Sequence, residues 1–205
     1  MEIIKKYFPE ITDIQKEKFN QLSEKYAYWN QKINVISRKD MDNFYERHVL
    51  YSIAIGKIIQ FGKDHHILDV GTGGGFPGVP LAILFPESQF TLLDSIGKKL
   101  KVIDEICTDL EIKNVQTIHS RVEDIQNDYD FILSRAVTNL PQFIKITKHL
   151  FKKKPNPNEG IYYLKGGDFD EELKNINLNV QIFELKEFFE EDFFNTKKVV
   201  QIPFN

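Results

Sequence analysis

His66-Ile-Leu-Asp-Val-Gly-Thr-Gly-Gly-Gly-Phe-Pro-Gly78 is the stretch on which the fold turns. The apolar run His66 to Val70 reads as a strand, and four glycines within positions 71–75 follow it. From about residue 78 the pattern becomes helical. Glycine lets the backbone turn through positive φ and approach a ligand with no Cβ in the way. A glycine run can be only a flexible turn. Its place at a strand-to-helix junction favours a ligand loop, because open α/β sheets bind ligands outside the carboxyl ends of their strands.

Downstream of this unit the texture repeats. Apolar runs at Phe90–Asp94, Val115–Ile118, Phe131–Leu133 and Ile161–Leu164 alternate with helical stretches near 78–85, 98–109, 121–126 and 139–151. Such alternation implies a parallel sheet with right-handed crossovers. Two last strand-like runs, Val180–Leu185 and Val199–Ile202, flank a polar and aromatic stretch and suggest a closing antiparallel pair. Lys152 to Asn158, with two prolines, reads as a loop.

Upstream, residues 1 to about 61 read as helical. Phe19, Leu22, Tyr26 and Trp29 recur at three- and four-residue steps, with Thr12 or Asp13 as the cap. A second helical pattern runs from about Met41 to Ile59. The expectation is an α/β, Rossmann-like chain: a seven-stranded, mostly parallel sheet over 62–205, with 1–61 a helical extension packed on it.

Composition sets the outer bounds. The chain has 205 residues, 41% hydrophobic and 28% charged, which suits a globular fold with a proper core. No run of about 18 apolar residues offers a membrane span, and Met1-Glu-Ile-Ile-Lys-Lys lacks the apolar stretch of a secretory signal. The lone Cys107 makes no internal disulfide and lies among apolar helix positions, so a reducing, cytoplasmic setting and a buried, inert thiol are expected. A net charge of −3 argues against a generally basic nucleic-acid binder. Local basic clusters remain at Arg47-His48, Lys98-Lys99 with Lys101, and Lys152-Lys153-Lys154.

The glycine loop fits two ligand patterns. Gly73-x-Gly75-x-x-Gly78 matches the dinucleotide fingerprint. Asp69, Gly71, Gly73 and Gly75 also form acid-x-Gly-x-Gly-x-Gly with the acid inside the strand, the pattern of methyltransferases that use S-adenosylmethionine. Besides that pattern, two features count against the dinucleotide reading. A pyrophosphate-binding helix aims free N–H groups at phosphate, which Pro77 and Pro80 lack, and this glycine unit follows a helical extension of about sixty residues. S-adenosylmethionine carries no phosphate. Asp94, at the end of the second strand, could accept from both ribose hydroxyls. An aspartate there is otherwise often a helix cap, a job Ser95 could do, and its position relative to the glycine loop favours the ligand. After the third strand, Ser120-Arg121-Val122-Glu123-Asp124 would place backbone amides and an acid at an adenine edge, though Glu123 could equally cap a short helix.

Several segments together resemble one family. They are Trp29-Asn-Gln-Lys-Ile-Asn34-Val-Ile-Ser37, Arg47-His-Val-Leu-Tyr-Ser52, the loop 69–78, Leu93-Asp-Ser95 with Lys98-Lys99, Arg121-Val-Glu123, Ser134-Arg-Ala-Val137 and Lys165-Gly-Gly167. In that order they resemble the 16S ribosomal RNA guanine-N7 methyltransferases, the glucose-inhibited division protein B family. The resemblance implies S-adenosylmethionine contacts at Gly71, Phe76, Val122, Glu123 and Arg135. This chain departs from the family pattern at Gln31, at Tyr51 and at Lys197-Lys198.

The implied chemistry asks little of the protein. Guanine N7 carries an in-plane lone pair, so transfer needs positioning and desolvation rather than a general base. No Ser/His/Asp or Cys/His constellation and no metal-ligand spacing stands out. Arg135 is expected to hold the cofactor and donate to the guanine edge, as arginine does to O6 and N7; its bland alternative is a salt bridge to Glu123 or Asp130. Asn34, Arg47, His48 and Lys165 are candidates for RNA phosphate or base contact; the bland alternative for His48 is a satisfied packing histidine. Phe76 alone among 17 phenylalanines merits a role beside the loop; the pairs Phe188-Phe189 and Phe193-Phe194 read as core. The partner is 16S ribosomal RNA or the small subunit, and the enzyme is expected to be a monomer. The alternatives are a methyltransferase acting on protein or a small molecule, a non-catalytic ribosome-assembly factor and, more distantly, a nicotinamide-dependent oxidoreductase.

Overall fold

The computed structural model describes residues 1–152 and 154–203; Lys153 of the third basic cluster lies outside them. Helix α1 (Glu2–Tyr7) leads into α2 (Asp13–Asn30). A capping box opens α2: the Thr12 hydroxyl accepts from the Gln15 amide at 3.3 Å, and the Gln15 side chain accepts from the Thr12 amide at 2.8 Å. Its apolar stripe buries Phe19, Leu22 and Tyr26.

The expected second helix takes another form. It is a 3₁₀ turn (Arg38–Asn43), a π-helical turn (Tyr45–Leu50), one α turn, α3 (Tyr51–Ile53), and a closing 3₁₀ turn (Ala54–Lys57). Every residue from His48 to Gly56 is buried. With no solvent face to keep, tertiary packing rather than the 3.6-residue period sets the backbone there.

The sheet follows. The strands and helices run β1 (His66–Val70), α4 (Gly78–Leu84), β2 (Gln89–Asp94), α5 (Gly97–Asp109), β3 (Val115–His119), β4 (Phe131–Arg135), α6 (Leu140–Thr147), β5 (Gly160–Gly166), α7 (Asp170–Leu173), β6 (Gln181–Glu184) and β7 (Lys197–Pro203). All seven strands form one sheet, in the order β3-β2-β1-β4-β5-β7-β6. Only β7 runs against its neighbours. The expected helix at 121–126 is a single 3₁₀ turn, Val122–Asp124, and α7 was not foreseen.

Alternate strand residues feed two apolar layers. Ile67, Phe90, Leu92 and Leu133 face the N-terminal helices, α4 and α5. Leu68, Val70, Ile132 and Ile161 face α6. Burial on both faces is why these strands read as continuous apolar runs. Strand order reverses between β1 and β4, which opens a crevice at their carboxyl ends. Among the described residues no helix is long and apolar enough to cross a membrane.

Candidate active site

The loop after β1 is braced from three sides. Gly71, Gly73 and Gly75 have φ of 66°, 59° and 94°. Asp69, fully buried, accepts through one oxygen from the Thr72 hydroxyl (2.6 Å) and the Gly78 amide (2.9 Å). Burial pushes its carboxyl up to about 6, against the opposing pull of those two bonds. Asp69 therefore shapes the loop from beneath. From the N-terminal helices, Tyr26 donates its hydroxyl to the Gly74 carbonyl at 2.6 Å, and the Val35 carbonyl lies 3.0 Å from where a Gly74 Cβ would stand. Asn30 folds the chain towards that contact by accepting from the amides of Val35 and Ile36.

Asp94 closes the third side. One oxygen accepts from the Gly73 amide (2.9 Å), the other from the Ile96 amide (2.8 Å). Each oxygen has a further lone-pair direction, so two ribose hydroxyls can still be received. A Cβ on Gly73 would meet only the Gly71 carbonyl at 4.0 Å, so the loop backbone is open to a ligand there. Ile96 and Val137, each 41% exposed, are large apolar residues left uncovered beside Asp94 and Gly71. Val122 is buried and Glu123 exposed after β3. These features fit an adenosine with a non-phosphate tail. They do not fit a pyrophosphate: Gly78 donates its amide to Asp69, the Val79 amide bonds back to Gly75, and Pro77 and Pro80 have none.

Phe76 points inward. It is 4% exposed and packs with its ring centroid 4.9 Å from Tyr26, 5.1 Å from His48 and 6.0 Å from Phe44. Its ring supports the loop from the core side, and its backbone amide bonds to the Thr72 carbonyl.

The β4–α6 connection lies against Gly71. A Cβ there would stand 2.4 Å from Val137 Cγ2. Tyr163 fixes this connection, its hydroxyl accepting from the amides of Val137 and Thr138. Arg135 makes neither expected salt bridge: Asp130 is held by Lys152 and the His66 amide. The guanidinium instead donates Nη1 to the Arg47 carbonyl (3.2 Å) and Nη2 to His48 Nδ1 (3.1 Å). Its carbon sits 5.4 Å from the Phe76 ring centroid and 5.9 Å from that of Tyr51. No carboxylate pairs with it among the described residues, and removal from water lowers its pKa.

Arg135 lines a cavity of about 670 Å³ with Arg47, His48, Tyr51, Lys165, Phe193 and Lys197. Three of the four RNA candidates thus meet around Arg135, in altered roles. His48 is 8% exposed and directs Nδ1 at Arg135, leaving only part of its ring at the cavity wall. Lys165 places its ammonium 2.7 Å from both oxygens of Glu172, which also receives the Leu140 amide, so it ties β5 to α6. Arg47 pairs with Asp40 at 3.2 Å. Asn34 is exposed beside Val35 and is not among the cavity residues. Tyr51, at a departure from the family pattern, donates to the Lys165 carbonyl at 2.9 Å. Phe193, read as core, forms a wall with Lys197 Nζ 4.8 Å from its ring centroid; its neighbour Phe194 is core and stacks with buried Phe189 at 4.5 Å, and Phe188 is half-buried.

Strand order, glycine loop and acid at the second strand end define the Rossmann-like methyltransferase fold. A methyltransferase of Aquifex aeolicus, described as dependent on S-adenosylmethionine, superposes with a TM-score of 0.57 at 17% identity over 82% of this chain and 98% of its own. The precorrin-6y C5,15-methyltransferase of Geobacter metallireducens gives 0.56 at 13% identity, over 84% and 92%. Residues 15–199 match the family described as rRNA small subunit methyltransferase G, and the chain belongs to that family. Relatives bearing the name ribosomal RNA small subunit methyltransferase G are 54% identical in Christiangramia forsetii, over 99% of this chain and 97% of the relative, and 52% identical in Cytophaga hutchinsonii, over 99% of both.

Proposed function

We propose that the chain methylates N7 of a guanine in 16S ribosomal RNA, with S-adenosylmethionine as donor. The observation that carries the reading is the Arg135 guanidinium, which lines the 670 Å³ cavity 5.4 Å from the Phe76 ring of the glycine loop and makes no ion pair among the described residues, Asp40 and Asp69 acting on it only at longer range. Arginine pairs with the O6 and N7 edge of guanine. Donation to O6 would leave the N7 lone pair free.

When bound, S-adenosylmethionine supplies an electrophilic sulfonium methyl. Gly71 and Gly73 would pass it at close range, Asp94 would receive the ribose hydroxyls, and Val122 with Glu123 would flank the adenine. The cavity walls, Tyr51 and Phe193, would exclude water from the acceptor base. No base is required, which accords with His48, whose Nδ1 is already taken by Arg135. The helices of residues 1–61 belong to the working site, since Tyr26 braces the loop and Arg47 with His48 hold Arg135. The ribosomal substrate supports a cytoplasmic place.

A thermal-shift comparison tests the cofactor assignment. S-adenosylhomocysteine should raise the melting temperature of the wild type and not of Asp94→Ala, while NADH should raise neither. Stabilisation by NADH alone would overturn it.

A further inference from the structure

We infer that His48 is a positioning residue: a neutral hydrogen-bond acceptor that fixes Arg135 in place while leaving its positive charge available to the bound ligands. This rests on the proposed role of Arg135. The geometry is specific. Two successive residues of the π-helical turn present acceptors to the two terminal nitrogens of the guanidinium, the Arg47 carbonyl and His48 Nδ1. Both acceptors are uncharged.

A carboxylate at position 48 would anchor an arginine more strongly. It would also cancel the charge. An imidazole does the first job without the second, provided it stays neutral. Its surroundings keep it so: Phe44 stacks on the ring at 6.2 Å, Phe76 packs at 5.1 Å, and burial together with the Arg135 charge lowers its pKa to about 4. With Nδ1 accepting, the ring proton resides on Nε2, which is buried without a hydrogen-bond partner among the described residues. A buried donor left unsatisfied is unfavourable. A residue selected for packing alone would avoid it; phenylalanine would fill this aromatic nest without that penalty.

The two roles make opposite forecasts, which permits a clean test on the full chain. His48→Phe preserves the packing and removes the acceptor. His48→Asn keeps an acceptor near the Nδ1 position and sacrifices aromatic packing. His48→Asp keeps an acceptor and adds a charge. These and Arg135→Ala are assayed for kcat and KM towards small-subunit rRNA, for S-adenosylhomocysteine affinity by calorimetry, and for melting temperature.

His48→Phe relieves the unsatisfied Nε2–H but strands Nη2 of Arg135, so it should fold and melt near the wild-type temperature. It should lose about tenfold or more in whichever parameter Arg135→Ala lowers, kcat/KM or cofactor affinity. His48→Asn should recover that parameter to within about threefold of wild type despite a lower melting temperature, and His48→Asp should resemble His48→Phe. Wild-type behaviour of His48→Phe, or equal deficiency in His48→Asn, would show a packing residue only. Full activity in His48→Asp would overturn the claim about available charge. If Arg135→Ala itself changes nothing, the proposed role of Arg135 fails first and the role of His48 goes with it.

Discussion

The hydroxyl of Tyr26 donates to the carbonyl of Gly74 at 2.6 Å, joining the middle of the N-terminal helical region to the centre of the glycine loop. The hydroxyl is fully buried, and burial pushes its pKa well above the ordinary value. Tyr26→Phe should therefore strand the Gly74 carbonyl. The expected loss is about 1–3 kcal/mol of stability, with S-adenosylhomocysteine affinity lower because the loop loses its brace. Denaturant titration and calorimetry check the two arms; unchanged cofactor affinity would uncouple the helix from the loop.

Gly71→Ala probes the opposite side of the same loop. The new Cβ would stand 2.4 Å from Val137 Cγ2, at a φ of 66° that side chains rarely adopt. Strained backbone of this kind amounts to about 1–3 kcal/mol. The variant should fold with a lower melting temperature and lose the thermal shift given by S-adenosylhomocysteine. A full shift would show that the cofactor does not pass this glycine.

His48 gives the stability a pH dependence of known sign. Its folded pKa is depressed to about 4, chiefly by burial and next by Arg135. The unfolded chain takes up the proton near pH 6.5. The contribution is thus fully present above about 6.5 and is lost as pH falls towards about 4. Between about pH 7.5 and about pH 5 the wild type should lose roughly 2 kcal/mol relative to His48→Asn. Asp69, raised to about 6, acts with the opposite sign over much of this window, but it is common to both proteins and cancels in the difference. Parallel urea-derived stability curves for the two proteins would contradict a buried, neutral His48.

The sheet was legible because β1, β2 and β4 are buried on both faces, so their apolar runs stand out against the helices between them. The cofactor crevice was legible for a related reason: Asp69, the glycines and Asp94 lie within one βαβ unit, where spacing maps directly onto space. What escaped were contacts between distant segments. Tyr26 looked like one more member of an apolar stripe, and nothing in its spacing marks the hydroxyl that meets Gly74. Arg135 was expected to find a carboxylate at Glu123 or Asp130. It found a carbonyl and an imidazole from a turn nearly 90 residues earlier. That turn is π-helical, and its passage from half-buried Tyr45–Arg47 to buried His48–Leu50 carries no period that announces it. Lys165 and His48 carry no sequence signal for the partners they take, Glu172 and Arg135. Phe193 was hidden by the pairs of phenylalanines around it, which do pack as core.

The most direct measurement maps N7-methylguanosine in 16S ribosomal RNA by chemical cleavage, comparing cells with the gene, cells lacking it, and deletion cells supplied with Arg135→Ala. The expected result is one guanine methylated at N7 with the gene, unmethylated without it, and not restored by the variant. Identical methylation patterns in the first two strains would contradict the assignment of guanine N7 as the acceptor.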